Sequence, residues 1–234
     1  MSHGPCDPVN SVKSKDLGSK KIADFSKNVR RKLKKHDRVQ IVGQAGLDLY
    51  CVQSFMTPEE CDGLIALIEA DNHPSSLYAG TEQDGFRTSF SCNLDAYHPL
   101  VMKIERRICE LTGIDARHGE TLQGQRYQPG QQFKPHHDYF HVGQPYWEAE
   151  RKAGGQRTWT GMIYLNEPQG GGETNFPKVG LCVQPRTAML VLWNNMTDIG
   201  SPQDLSIHEG CPVQAGTKYI VTKWFRERFW GGKT

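Results

Sequence analysis

A chain of 234 residues, 37% hydrophobic and 23% charged, is long enough for one domain with a sizeable core. Its longest apolar run, Ala188 to Trp193, is far short of a membrane span, and the opening Met1-Ser2-His3-Gly4-Pro5-Cys6 lacks the apolar segment of a secretion signal. Seven cysteines without a Cys-x-x-Cys pair argue against a disulfide framework or structural zinc, so a reducing cytoplasm is the expected home. The net charge of +2 hides an asymmetry: residues 1–40 hold eleven Lys/Arg against four Asp/Glu, and the rest hold seventeen against twenty-two.

Residues 1–18 are polar, with Gly and Pro and no periodicity, and read as a frayed tail. From Ser19 to His36, Ile22, Phe25, Val29 and Leu33 recur at helical spacing among Lys and Arg, which predicts an amphipathic basic helix. That helix either packs its stripe on the domain with the cations solvated, or docks on nucleic acid, an acidic protein or a membrane surface. Short strands are expected at Val39–Val42 and Leu47–Val52. Thr57-Pro58-Glu59-Glu60 then has the form of an N-cap, a first-turn proline and a capping box, opening a helix that buries Cys61, Leu64, Ile65 and Ile68. A second helix after Asp95 buries Val101, Ile104, Ile108 and Leu111 and stops at Gly113.

From Thr121 the pattern changes to strands at 121–128, 133–139, 158–166, 173–176, 181–184, 187–194, 205–213 and 217–229, most of them separated by Gly, Pro or Asn. The fold class is therefore mainly β with flanking α, a double-sheet jelly roll buttressed by the N-terminal helices. Three parts follow: a basic tail and helix (1–38), a supporting α/β segment (39–119) and a jelly-roll core (120–230). One long connection, Phe140 to Arg157, is charged and aromatic, and a mobile lid over a site is expected there.

Within the core, alternation along a strand puts His136 and Asp138 on one face and sends His137 to the other. A His-x-Asp triplet is common by chance, and an isolated His136 is more often a structural histidine. His208, seventy residues on, could supply a second imidazole, completing a 2-His-1-carboxylate set that binds Fe(II) with coordination positions left open. Zinc fits less well, because structural zinc fills four positions, mostly with Cys and His. Farther on, Lys218, Ile220, Thr222 and Trp224 share one strand face, so an ammonium and a hydroxyl face an apolar cavity suited to an acidic cosubstrate.

In order, these residues form Tyr127-x-x-Gly130-x-x-Phe133-x-x-His136-x-Asp138, then Arg157-x-x-Thr160-x-x-x-Tyr164-Leu165-Asn166, then Gly171 to Pro177, then His208 and Lys218. The series resembles the prolyl 4-hydroxylase family of Fe(II)- and 2-oxoglutarate-dependent dioxygenases, in its short microbial form, from about Glu120 to Trp224. The resemblance implies a double-stranded β-helix with Fe(II) on His136, Asp138 and His208. It also implies 2-oxoglutarate and O2 as cosubstrates and L-ascorbate as a reductant. Lys218 would anchor the far carboxylate of 2-oxoglutarate, with Tyr127, Tyr164 and Thr222 as hydrogen-bond partners and Met162 and Trp224 as apolar lining. Arg157, Tyr139 and Trp147 become candidates for gripping a peptide, and Phe86 to Ser89 falls beside the site.

The activity so implied is hydroxylation of prolyl residues at the 4-position in a peptide or protein, with 2-oxoglutarate decarboxylated to succinate and CO2. The same chemistry on a free amino acid, another small molecule or an alkylated base is the alternative; base-repair relatives hold 2-oxoglutarate with Arg, which counts against the last. A different class, a jelly-roll binding protein using its basic helix on nucleic acid or an acidic partner, also stays open. No membrane partner is expected.

Overall fold

In the computed structural model the described residues are 18–43, 46–77 and 85–232. The tail expected at 1–18 lies almost wholly outside them. Helix α1 (Lys20–Leu33) buries Ile22, Ser26, Val29 and Leu33 and leaves most of its lysines in solvent. Phe25 is only half-buried, against the His118 ring. Two short strands, β1 (Gln40–Ile41) and β2 (Leu49–Val52), lead to α2 (Pro58–Ala70), whose predicted capping box is present in both directions. The Thr57 hydroxyl accepts from the Glu60 amide at 3.2 Å, and Glu60 accepts from the Thr57 amide at 3.0 Å. Thr57→Ala removes one of these bonds and should cost about 1 kcal/mol, read as a lowered denaturant midpoint at constant slope. Hydrogen bonds from Arg107 also hold the Glu60 carboxyl down at about 2, so its stabilisation is present above its ordinary pKa and is lost as pH falls toward 2.

Strands β3 (His73–Pro74) and β4 (Phe90–Asn93), absent from the sequence expectation, extend one sheet edge. Helix α3 (Pro99–Thr112) buries the four predicted apolar residues and ends at Gly113, whose φ of +72° only glycine adopts cheaply. The core strands are β5 (Gln123–Tyr127), β6 (Phe133–His136), β7 (Arg157–Tyr164), β8 (Gly170–Gly171), β9 (Thr174–Phe176), β10 (Leu181–Val183), β11 (Leu190–Asn194), β12 (His208–Gly210), β13 (Val213–Ala215) and β14 (Lys218–Arg226). They form an eight-stranded antiparallel sheet ordered β1-β2-β11-β7-β14-β5-β4-β3, a four-stranded sheet ordered β10-β9-β12-β6, and a small β13-β8 pair.

Alternation along the large sheet gives it two different faces. One carries Tyr50, Val52, Trp159, Ile163, Leu190, Leu192, Val221 and Phe225 and packs under α1, α2 and α3. The other carries Tyr127, Met162, Tyr164, Val191, Trp193 and Ile220 and meets Phe176 and Val183 of the smaller sheet. Helices thus buttress one face while the second sheet closes over the other, the double-stranded β-helix expected from the strand pattern. The functional side chains lie between the sheets.

Two expected strands are shorter than the pattern implied. The segment 205–213 breaks into a turn at Asp204–Ser206, the three-residue β12 and then β13, which changes partner to β8. The break falls at Cys211-Pro212, where proline has no N–H for the ladder. Strand β6 stops at His136, so Asp138 lies just past its end.

The expected mobile lid is instead held down at several points. It contains a short helix, α4 (Trp147–Lys152), and its base is closed by Gln156, which accepts from the Phe140 amide at 2.8 Å and donates to the Phe140 carbonyl at 2.7 Å. The fully buried Arg226 pairs with Glu150 of α4.

Candidate active site

Strands β6 and β12 pair with His136 directly opposite His208, which brings the two imidazoles together at a centroid separation of 4.4 Å. Asp138 turns back toward both: its carboxylate oxygens lie 3.9 Å from His136 Nε2 and 3.8 Å from His208 Nε2. One donor atom from each residue falls within 4.8 Å of the others. Both imidazoles have the same orientation. His136 Nδ1 faces the Lys134 carbonyl at 2.8 Å and His208 Nδ1 faces the Ser206 carbonyl at 2.9 Å. A carbonyl can only accept, so each Nδ1 carries the proton and each Nε2 presents its lone pair inward. Burial, with His208 beside it, pushes the His136 pKa down to about 3, which keeps that ring neutral.

Asp138 is only 5% exposed. Burial works against its ionisation, but His208, His136, Arg157 and a hydrogen bond from Thr160 together hold it below the usual carboxylate range. Two neutral imidazole nitrogens and one buried carboxylate suit a divalent transition metal with vacant positions, so the donor set fits Fe(II).

Behind the carboxylate stands a support the sequence reading did not single out. Thr160 Oγ1 donates to Asp138 at 2.7 Å and accepts from Asn195 Nδ2 at 2.9 Å, and both residues are fully buried. Thr160→Val keeps the shape and deletes the hydroxyl. It should weaken divalent-metal affinity by about 10- to 100-fold, measured by titrating Mn(II), while Thr160→Ser should restore it.

The triad stands where two cavities meet. The inner one is lined by Gln125, Tyr127, Met162, Thr174, Trp193, Lys218, Ile220 and Thr222 along with the triad. The outer cleft, about 660 Å³, opens to solvent past Arg87, Gln123, Phe133, His137, His141, Tyr146, Arg157 and Trp224. A depression of similar size, about 700 Å³, lies by α3 around Lys32, Arg106 and Lys223 and contains none of the triad.

At the floor of the inner cavity Lys218 is 1% exposed, its Nζ 5.1 Å from the Tyr127 ring centre and 5.4 Å from that of Tyr164. Burial lowers its pKa to about 8. No carboxylate pairs with it among the described residues, so the cavity is built around a cation awaiting an anion. Thr222, Met162 and Trp224 line the same space, on strand faces that the register places side by side.

Other expected residues are placed differently. The Tyr164 hydroxyl is held by the opposing sheet, 2.6 Å from Thr174 Oγ1 and 3.2 Å from the Val183 carbonyl. Tyr127 lines the cavity but gives its proton to Gln125 at 2.7 Å. Arg157 reaches the outer cleft with its Nε and Nη2 donating to the two Glu120 carboxylate oxygens, at 2.7 Å each, and its Cζ 4.0 Å from the centre of the Trp224 ring. Tyr139 is buried beside Ile22 and Met196 and does not line the cleft. Trp147 starts α4 half-buried and leaves the cleft wall to its neighbour Tyr146. His137 is excluded from the triad, as alternation predicted, and turns to Asp204. It still rims the outer cleft, as does His141.

Gln125 and Gln123 were missed, although counting back by two from Tyr127 along β5 marks both as inward-facing. Arg87, which bridges to Phe133 and stacks 4.9 Å from its ring, had no signal in chain order.

The fold and triad define an Fe(II)-dependent oxygenase, and residues 122–226 match the family model described as the 2OG-Fe(II) oxygenase superfamily. Prolyl 4-hydroxylase 5 of Arabidopsis thaliana is 36% identical over 74% of this chain and 66% of its own length. Prolyl 4-hydroxylase 1 of the same plant is 34% identical over 76% and 68%. The chain thus spans about two thirds of each. The crystal structure of a viral collagen prolyl hydroxylase from Paramecium Bursaria Chlorella virus-1, in complex with 2OG, superposes with a TM-score of 0.60 at 26% identity, over 76% of this chain and 95% of that one. The chain belongs to the prolyl 4-hydroxylase family.

Proposed function

We propose that this protein hydroxylates prolyl residues, at the 4-position, in a peptide or protein, using 2-oxoglutarate and O2 and releasing succinate and CO2. One observation carries the reading: the triad stands between a small inner cavity lined by the buried Lys218 ammonium, with which no carboxylate pairs among the described residues, and a wider cleft large enough for a chain segment. The first suits a small dicarboxylate, and the second a target approaching from solvent. Similarity to the plant prolyl 4-hydroxylases and to the viral collagen prolyl hydroxylase supports prolyl residues as the target class.

His136, Asp138 and His208 would hold the iron, which when bound would let O2 serve as the oxidant, one oxygen atom replacing C–H by C–OH and the other entering succinate as 2-oxoglutarate loses CO2. The protein's part follows from its geometry. Lys218 fixes the far carboxylate of 2-oxoglutarate by charge, in a site too buried for water to compete. Thr222, two positions farther along the same strand face, offers it a hydroxyl. Trp224 and Met162 supply apolar wall, and Trp224 separates the cosubstrate from the cleft. Arg157, held flat by Glu120 and Trp224, gives the cleft a rigid edge against which a peptide can be set. L-Ascorbate is expected to serve as the reductant that keeps the metal ferrous between turnovers.

The test is to incubate the protein with Fe(II), 2-oxoglutarate, ascorbate and a panel of proline-containing peptides, and to measure succinate and peptide mass. Succinate matched by the gain of one oxygen on proline supports the proposal. Succinate release with no modified peptide in the panel would overturn the peptide substrate while leaving the oxygenase standing.

A further inference from the structure

Between the outer cleft and the inner cavity runs a line of hydrogen bonds whose middle member is Gln125, 4% exposed on β5. At the cleft end, the Arg87 guanidinium donates to Gln123 Oε1 at 2.9 Å and to Ser89 Oγ at 3.2 Å, and its charge acts on the nearby Tyr127 hydroxyl. Tyr127 donates to Gln125 Oε1 at 2.7 Å, and Gln125 Nε2 donates to Thr222 Oγ1 at 3.0 Å. Thr222 lines the cavity beside Lys218.

The donor inventory gives this line a direction. The positive Arg87 favours the Tyr127 oxygen over its proton, so the single phenolic proton points away from the guanidinium to an acceptor. The acceptor is the amide oxygen of Gln125, which turns its NH2 toward Thr222. Thr222 then accepts from Gln125, and its own proton is left to donate into the cavity.

We propose that Gln125 is a positioning residue for the acidic cosubstrate: it locks Tyr127 and Thr222 so that the Thr222 hydroxyl presents a donor, not a lone pair, to the carboxylate held by Lys218. This rests on the oxygenase reading above. A leucine at this position fills similar space but leaves the Thr222 hydroxyl free to rotate. A glutamate keeps the shape and accepts from both neighbours, which draws the Thr222 proton away from the cosubstrate and adds a like charge.

The experiment titrates 2-oxoglutarate into Mn(II)-loaded wild-type, Gln125→Leu and Gln125→Glu proteins by calorimetry, with thermal unfolding as the check on folding. Gln125→Leu should weaken 2-oxoglutarate binding by about tenfold, the worth of one buried hydrogen bond to a charged group, and Gln125→Glu by more, with Mn(II) affinity unchanged. In turnover the loss should fall on KM for 2-oxoglutarate and leave kcat at saturation nearly intact. In a Thr222→Val background, Gln125→Leu should cost little further, because the two changes break one relay. Wild-type binding matched within twofold by both folded variants would overturn the relay alone. A metal-loaded wild-type protein that binds no 2-oxoglutarate would overturn the oxygenase reading itself.

Discussion

His208→Ala should abolish both turnover and metal retention. The side chain supplies one of three donors within 4.8 Å, and among the described residues no fourth His, Cys, Asp or Glu joins that cluster. The loss should exceed the roughly 100-fold that removing a ligand's hydrogen-bond partner causes, because two donors seldom hold a labile divalent ion. Asp138→Ala should behave alike, and it also leaves Thr160 without its acceptor. Titration with Mn(II), read alongside succinate production, checks both. An alanine variant that still binds the ion as wild type does and still releases succinate would remove His208 from the metal site.

Lys218→Ala should instead leave the metal in place and raise the 2-oxoglutarate requirement. Removing one partner of a buried ion pair costs about 3–5 kcal/mol, which converts to roughly a 10²- to 4 × 10³-fold higher KM. Since the lost charge serves only the far carboxylate, the variant should cease to distinguish 2-oxoglutarate from a 2-oxo acid that lacks that group. The same ammonium sets a pH dependence. Burial lowers the Lys218 pKa to about 8 in the free protein, and a bound carboxylate favours its charged form. Affinity for 2-oxoglutarate should therefore be flat below pH 8 and fall above it, as free protein loses the proton that the complex needs. Affinity that rises with pH above 8, or a Lys218→Ala variant with unchanged KM, would show that another group holds the anion.

Much of this site was legible before any coordinates, and for one reason. The residues that face the cavity lie on strands, and a period of two assigns faces without knowledge of the fold. Lys218, Ile220, Thr222 and Trp224 do share a wall, and His137 is turned out of the triad. The α2 capping box and the glycine stop of α3 were likewise local patterns, and the chain folds there as its local chemistry dictates. Helical spacing also marked which side of α1, α2 and α3 would be buried.

What the sequence could not decide was how side chains on different strands share their hydrogen bonds. Tyr164 is on the predicted strand, yet its hydroxyl finds Thr174 and Val183 of the opposing sheet. Arg157 reaches the cleft already paired with Glu120, thirty-seven positions away. The connection expected to be a mobile lid is tied down by Gln156 and Arg226, because contacts from beyond its own ends decide how firmly a loop is held.

The amino-acid order thus determined the strand faces and the helix ends, which depend on neighbours within a few residues, while the candidate metal donors came from a motif series spread over about a hundred residues. Only the tertiary structure decided that His136 stands opposite His208, that Thr160 braces Asp138, and that Gln125 joins Tyr127 to Thr222. Those pairings depend on inter-strand register and on competition among buried donors and acceptors, and neither is written in any local stretch of the chain.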